Sequence, residues 1–339
     1  MPPLVTHLLP VLQSLTQTGW HALRDLFLAP GSSISLQSLA CAFCIAALFL
    51  VLKRKGRRVR LAVLIRALLP KRMATSASGK ADIGFFVFNV CLASVLFGWA
   101  ILSNHQISLL THAAMAGVFG EGHGPLLAPW ISSAILTVGL FLAYELGYWV
   151  DHYLSHKIPF LWAFHRVHHT AQQLSPLTNF RVHPVDSVVY LNILALFTGA
   201  TNGVLTYVLG EQVKPFALAG SNVILLALLF LLIHLQHSHI WIATRGVWGR
   251  IILSPAHHQL HHSTNPAHFD RNFGGCLSIW DWLFGTLLIP AARRERLTFG
   301  VAPDGEDVHS VTGGLITPVL RAMGTLGGAA NEIADPQSV

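Results

Sequence analysis

The stretch "WISSAILTVGLFLAYELGYWVDHYLSH", Trp130–His156, decides the fold. Trp130–Val150 carries a single charge, Glu145, over a length that matches the roughly 20 apolar residues needed to cross a bilayer core. The run then passes directly into His152 and His156, spaced H-x-x-x-H. On a helix, positions i and i+4 share a face, so both imidazoles can reach one ion. The stretch therefore predicts a membrane helix that continues past the bilayer and carries a ligand pair at its end.

Composition extends this to the whole chain. Of 339 residues, 53% are hydrophobic and only 11% charged, where a soluble domain carries about a quarter charged residues. Mean hydropathy is +0.54. The net charge of +7 could signal nucleic acid, but its placement excludes that partner. Ten of the 22 Lys and Arg fall between Lys53 and Lys80, directly after an apolar run, which is the positive-inside signature of a membrane protein. Of the four cysteines, Cys41, Cys44 and Cys91 lie inside apolar runs and Cys276 stands apart. A disulfide framework is not expected, and the C-x-x-C of Cys41 and Cys44 reads as small apolar filler.

Further spans are predicted at Leu36–Leu52, Ile83–Ser103, Ser187–Gly210 and Phe216–Ile233, the last two joined by the short link Glu211–Pro215. Ile107–Phe119 reads as a re-entrant or interfacial piece. The linker 53–82 holds "KRKGRRVR" and "PKR" and is assigned to the cytoplasm, with the N-terminus opposite; the loop 104–129 has no Lys or Arg. This topology leaves only Arg24 and Lys214 outside, so twenty of the 22 basic residues are inside. No signal peptide is read in the first 30 residues. The expected fold is all-α: a multi-span helical membrane bundle with a cytoplasmic helical cap carrying a histidine-rich two-metal site. Residues 1–82 form an N-terminal segment with a first span and basic linker, 83–292 the membrane-embedded domain, and 293–339 a polar, partly mobile tail that includes "GTLGGAAN".

Most of the 20 histidines cluster just past the spans. After His152 and His156 comes "FHRVHHT" (164–170), with His165, His168 and His169 as H-x-x-H-H. "SPAHHQLHH" (254–262) repeats that spacing with His258, His261 and His262, and Pro255 suits the first turn of a helix. Offsets of three and four put each trio on one helical face. One such cluster could be packing or a surface patch; three on one side of a membrane exceed what a single tetrahedral zinc needs and suit two metal ions. His237, in "HLQHSH", is the preferred additional ligand. His183, His234, His239 and His257 are further candidates, while His7, His21, His105, His112 and His123 fall near the far face. Glu145, Asp151, Asp186 and Asp281 are candidates to accept the second N–H of a ligand imidazole, or else serve as caps and surface charges.

The combination resembles the sterol desaturase/fatty acid hydroxylase superfamily of integral membrane non-haem di-iron enzymes. The resemblance covers roughly Glu145–Pro290. It rests on "HYLSH", "FHRVHH", "NFRVHPVD" (179–186), "HSH" (237–239), "SPAHHQLHH" and "DRNFGGCLSIWDWLFGT" (270–286). It implies two iron ions held by His152, His156, His165, His168, His169, His258, His261 and His262, with His237 as a further ligand. Fatty acid 2-hydroxylases carry H-x-x-x-H at that last position, whereas this chain has Trp241 in fourth place. Another ligand would then come from His183, His234, His239 or water. The resemblance also implies O2-dependent hydroxylation or desaturation of a lipid: a sterol, a fatty acyl chain, an ether lipid or a polar-head lipid. No b5-like segment is read in the chain, so a separate electron donor is implied, a ferredoxin or a cytochrome b5-like protein. "NFRVHPVD" is similar to the sterol-directed branch and "NPAHFDRNFGG" (265–275) to the alkylglycerol monooxygenase branch.

Other function classes fit less well. A histidine-rich metal transporter places ionisable residues along a path at mid-membrane, but these spans are nearly charge-free. A membrane zinc hydrolase needs three ligands, an open position and a general base, and the surplus of histidines argues against it. A non-catalytic scaffold descended from such enzymes is disfavoured by the intact clusters.

Overall fold

Most of the apolar runs are helical and open at a capping residue or a proline. This is seen in a computed structural model that describes residues 20, 24–32, 34–55, 59–122, 124, 127–301 and 307–326. The first 19 residues, His21, His123 and positions 327–331 of "GTLGGAAN" lie outside the described residues, as does most of the segment read for a signal peptide. Helix α1 is Leu36–Lys53, capped by Ser35, whose side chain accepts the Ser38 N–H. The basic linker contains α2, Leu61–Leu68. Ser76 caps α3, Ala77–Phe88, and Ser103 caps α4, Asn104–Phe119. Pro129 opens α5, Pro129–Lys157; Pro159 opens α6, Pro159–His169; Pro184 opens α7, Pro184–Leu209. Proline suits the first turn because its missing N–H has no helical partner there.

After α7 comes a two-residue ribbon, β1 (Ala217–Leu218) and β2 (Ser221–Asn222). Then α8 (Val223–Leu228) continues through a π-turn to Gln236. The cap is made by α9 (Gly246–Ile251), α10 (Pro255–His261) and α11 (Ile279–Phe284). A final helix, α12, spans Val311–Leu326.

Among the described residues, three helices, α1, α5 and α7, are long and apolar enough to cross a membrane. A fourth crossing arises if the bent pair Ala77–Ala93 and Val95–Phe119 counts as one span. Two of the five predicted spans therefore differ. The run Ile83–Ser103 is interrupted, and together with α4, expected to be re-entrant or interfacial, it makes a bent pair that is either one broken span or a re-entrant loop. Between them the backbone is extended at Ile101, and Asn192 of α7 satisfies the freed groups: its Nδ2 donates to Ala100 O at 3.0 Å and its Oδ1 accepts the Leu102 N–H at 2.7 Å. Irregular backbone at membrane depth persists only with such partners. The run Phe216–Ile233 begins as the ribbon instead, with the Phe216 N–H on Thr137 Oγ1 at 2.8 Å and Asn222 Nδ2 on Thr137 O at 2.9 Å. The helix that follows, Val223–Gln236, reaches about 21 Å at 1.5 Å per residue, short of the roughly 30 Å of bilayer core.

Helices α4 and α7 touch through the G-x-x-x-G of Gly199 and Gly203. A Cβ at Gly203 would stand 2.5 Å from Ser108 O, and one at Gly199 would stand 2.9 Å from Asn104 O, so only glycine allows this approach.

Within the segment read as a polar, partly mobile tail, Val311–Leu326 form α12, whose Ala322 packs against Ala163 and Phe164 of α6. A buried arginine ties it down. Arg181 Nε donates to Thr170 Oγ1 at 2.9 Å and Nη1 to Asp82 Oδ1 at 3.0 Å. Its Nη2 reaches Val308 O at 2.6 Å and His309 Nδ1 at 3.0 Å. Arg181 and Asp82 are 0% and 1% exposed at the side chain, so each depends on the other to offset desolvation. Arg181→Met is expected to destabilise the protein by about 3–5 kcal/mol because it strands the Asp82 charge. Removing both charges with Arg181→Met and Asp82→Leu together should cost less. Thermal unfolding in detergent measures both variants.

Candidate metal centre

Two prolines and a short loop bring the histidines together. Helix α5 stops at Lys157 because Pro159 has no N–H and pushes Ile158 into extended backbone, φ −102° and ψ 113°. The chain reverses, and α6 sets His165, His168 and His169 beside His152 and His156. Pro255 and a capping box between Ser254 and His257 start α10 and present its histidines from the other side. His237 sits at the C-terminal cap of the segment ending at Gln236.

The nine histidines form two groups. In each, one ring nitrogen from every member lies within 4.8 Å of all the others: His152, His156, His165, His169 and His261 in one, and His168, His237, His258 and His262 in the other. All nine are buried. The sequence reading put each H-x-x-H-H trio on a single face; the structure divides both trios. Successive helical residues are about 100° apart, so i+3 and i+4 fall on opposite sides of residue i. His165 and His169 therefore face one group and His168 the other, while His258 and His262 face that second group and His261 the first. His169 and His262 stack across the boundary with centroids 4.6 Å apart.

The spacing fits metal ligation better than hydrogen bonding. His237 Nε2 lies 3.0 Å from His168 Nε2, 2.8 Å from His258 Nε2 and 3.2 Å from His262 Nε2. His258 and His262 are themselves 3.1 Å apart at Nε2. A neutral imidazole has one N–H, so four nitrogens cannot satisfy this set of contacts among themselves. Ligands at about 2.1 Å from a shared metal would stand about 3.0 Å apart at right angles. In the five-histidine group, His156 and His261 each place Nε2 at 3.2 Å from His169 Nε2. His152 Nε2 and His165 Nε2 are buried with no protein partner among the described residues. Burial and the neighbouring imidazoles hold His168, His169, His258 and His262 well below the usual histidine range. Burial takes His237 and His261 down to about 3. These rings are neutral, the form that ligates.

The outer partners are unequal. In the five-histidine group, His152 Nδ1 donates to Phe273 O at 2.8 Å, His165 Nδ1 to Asp186 Oδ2 at 3.2 Å and His261 Nδ1 to Arg271 O at 2.8 Å. His156 Nδ1 stands 3.9 Å from Asp270 Oδ1, and Asp270 also pairs with Lys157. In the four-histidine group, the Nδ1 atoms of His168, His237, His258 and His262 have no protein partner among the described residues.

The loop 270–278 supplies most of these acceptors. Asp270 and Asn272 have left-handed backbone, φ 58° and 60°, which Asp and Asn tolerate better than most residues; between them the Arg271 carbonyl faces His261. Asp281 accepts the Phe273 N–H at 2.8 Å, the Gly274 N–H at 2.9 Å and Trp149 Nε1–H at 3.1 Å. Glu145 Oε2 accepts the N–H groups of Cys276 at 2.8 Å and Leu277 at 2.7 Å. Of the four carboxylates considered from sequence, Asp186 alone contacts a clustered imidazole. Glu145 and Asp281 hold the loop, and Asp151 Oδ1 is buried with no protein partner among the described residues. The Phe273 and Arg271 carbonyls have no side-chain signal in the sequence, although the D-x-N of Asp270–Asn272 hints at the turn.

The remaining candidates lie outside both groups. His183 caps α7 and donates Nε2–H to Leu315 O at 3.1 Å. His234 Nε2 meets Ser38 Oγ at 2.8 Å. His239 Nε2 donates to Ala67 O at 2.6 Å, and His257 Nε2 to Gly249 O at 3.1 Å. Trp241 packs on Ala256 and Leu260, the other side of α10, and its indole donates to Ala291 O at 3.1 Å.

Comparison with known proteins agrees with this architecture. Residues 137–286 match the fatty acid hydroxylase family. Through this segment the chain is similar to that family, whose members are di-iron lipid hydroxylases and desaturases. Alkylglycerol monooxygenase from Danio rerio is 28% identical over 184 residues, 51% of this chain and 34% of that protein. Ornithine lipid hydroxylase OlsE from Rhizobium tropici is 30% identical over 161 residues, 48% of this chain and 44% of that protein. Cholesterol 25-hydroxylase-like protein 2 from Danio rerio is 27% identical over 184 residues, 51% of this chain and 57% of that protein. The chain thus spans about a third to just over half of the length of these relatives. No solved structure matches it.

Two predictions follow from the site's asymmetry and its neutral rings. Asp186→Asn should weaken metal binding in the five-histidine group by about 10–100-fold and leave the other group less affected, as a chelator titration followed by metal analysis would show. The metal-free protein should lose stability as pH falls. An unfolded histidine protonates near pH 6.5, whereas His237 and His261 resist protonation down to about 3. The unfolded chain therefore binds the extra protons, and stability that is complete above about pH 6.5 is lost progressively below it. The unfolding midpoint of chelator-stripped protein between pH 8 and pH 5 checks this.

Proposed function

We propose that the chain is a membrane-bound, O2-dependent di-iron oxygenase that hydroxylates a lipid, with His152, His156, His165, His169 and His261 holding one iron and His168, His237, His258 and His262 the other. The observation that carries this reading is the division of nine buried imidazoles into two groups with ligand spacing. A pair of iron ions bound there supplies O2 activation and removal of hydrogen from an unactivated carbon. The protein's own contribution is orientation and dryness. Asp186 and the Phe273 and Arg271 carbonyls fix the rings of His165, His152 and His261. The buried setting excludes water that would compete with the substrate.

Hydroxylation is preferred to desaturation because the relatives named as monooxygenase and hydroxylases outnumber any other activity among those compared. The substrate is a membrane lipid, and electrons come from a separate ferredoxin or cytochrome b5-like protein. The histidine side is cytoplasmic. Support comes from the basic linker, which touches that side where His239 donates to Ala67 O and Gln173 donates to Arg72 O, together with the positive-inside rule.

Purified protein should contain about two irons per chain, given the family's ligand-rich sites. His168→Ala should reduce metal content and abolish activity while the protein still inserts in membranes. Lipid profiles of cells with and without the protein should differ by species that gain one oxygen atom. One zinc per chain with no iron, or unchanged lipid oxidation by His168→Ala, would overturn the assignment.

A further inference from the structure

The cap carries an apolar face that the helical bundle leaves uncovered. Helices α9 and α11 are each six residues long and lie side by side, joined where the Ser278 N–H donates to Ile251 O at 3.0 Å. Exposed on the two helices are Val247, Trp248, Ile251, Trp282, Leu283 and Phe284. Val247 and Trp248 are 67% and 65% exposed, and Leu283 and Phe284 are 59% and 54% exposed. Single exposed apolar residues are ordinary, but six adjacent large ones mark an interaction surface.

Helix α5 fixes the depth of this face. From Trp130, which is 67% exposed at the far end, to Trp149 is about 29 Å at 1.5 Å per residue, close to the roughly 30 Å thickness of a bilayer core. Trp149 therefore stands at the boundary of the core on the histidine side. Phe284 packs on Trp149 with ring centroids 4.5 Å apart, and Trp149 Nε1 donates to Asp281 of α11. The exposed face thus adjoins α5 at interfacial depth, packed beside the buried Trp149. Its composition suits that position, because tryptophan concentrates where acyl chains meet headgroups. The Arg250 guanidinium lies 5.8 Å from the Trp282 ring centroid, an arrangement that lets its charge reach toward headgroups while its stem covers apolar surface.

We propose that α9 and α11 are seated in the lipid bilayer, with this face buried at the acyl–headgroup boundary of the leaflet on the histidine side. The cap is then monotopically inserted as well as joined to the spans. The seat does not depend on the metal chemistry and stands whether or not the histidine groups are loaded. It is connected to them, however: Asp281 accepts the Phe273 N–H, and the Phe273 carbonyl accepts from His152.

Site-directed spin labelling of the full chain in phosphatidylcholine–phosphatidylglycerol vesicles tests this. Cys41, Cys44 and Cys91 are first replaced by serine; Cys276 is buried. Labels at Trp248→Cys and Leu283→Cys should collide severalfold more with oxygen, which partitions into lipid, than with a water-soluble nickel chelate. A label at Ala267→Cys, exposed elsewhere on the cap, should show the reverse. Val247→Cys and Phe284→Cys duplicate the reading in each helix, so one misfolded variant leaves it decided. Chelate access at 248 and 283 equal to that at 267 would overturn the proposal. Exclusion of both reagents would also overturn it, because it would show the face covered by protein.

Discussion

Nine imidazole rings occupy a buried space with their nitrogens converging to about the separation of adjacent ligands on a metal. This is costly for neutral rings alone, because most of the converging nitrogens are acceptors facing acceptors, and it would be costlier for protonated ones. The rest of the cap can be understood as the means of holding that arrangement. Pro159 folds α6 back against α5, Pro255 starts α10 at the right place, and the D-x-N turn aims a carbonyl at His261. Each device acts on the backbone, so the rings are placed by where their helices begin and end rather than by side-chain contacts alone.

The support is layered. Glu145 and Asp281 do not touch the clustered rings; they capture the N–H groups of the 273–277 loop, and that loop orients His152 through Phe273 O. A glutamate in a membrane helix is expensive unless partnered, and here the partner is backbone from the cap. One buried carboxylate thus fastens a loop of the cap to a membrane span. The five-histidine group has these outer acceptors and the four-histidine group has none among the described residues, so the two positions differ in stiffness and basicity although both are built from the same residue type.

Much of this was legible in the sequence, for identifiable reasons. Long apolar runs with few charges gave α1, α5 and α7, and the i+4 spacing of His152 with His156 gave a shared face. The nine preferred histidines lie in the two groups. What sequence spacing could not give was the division of each H-x-x-H-H between two groups, because that depends on which helix approaches from which side. The break between α3 and α4 was hidden because Asn192, ninety residues away in the chain, satisfies it. The ribbon at 217–222 was hidden inside an apolar run because its partner is Thr137. The tail looked polar and irregular because α12 is held by Arg181, whose partners, among them Asp82 and the Val308 carbonyl, are distant in sequence.

That clamp has a consequence for the order in which the protein can be made. Thr170, directly after the His168–His169 pair, is bonded to Arg181, and Arg181 is completed only by Val308 and His309. A ribosome releases α6 well before it reaches α12. Until the intervening residues are synthesised, the Val308 and His309 partners of the arginine and the Ala322 contact on α6 are missing. The histidine cap is therefore closed by the last helix described in the chain, and loss of residues 307–326 would be felt at a site whose ligands were all translated earlier.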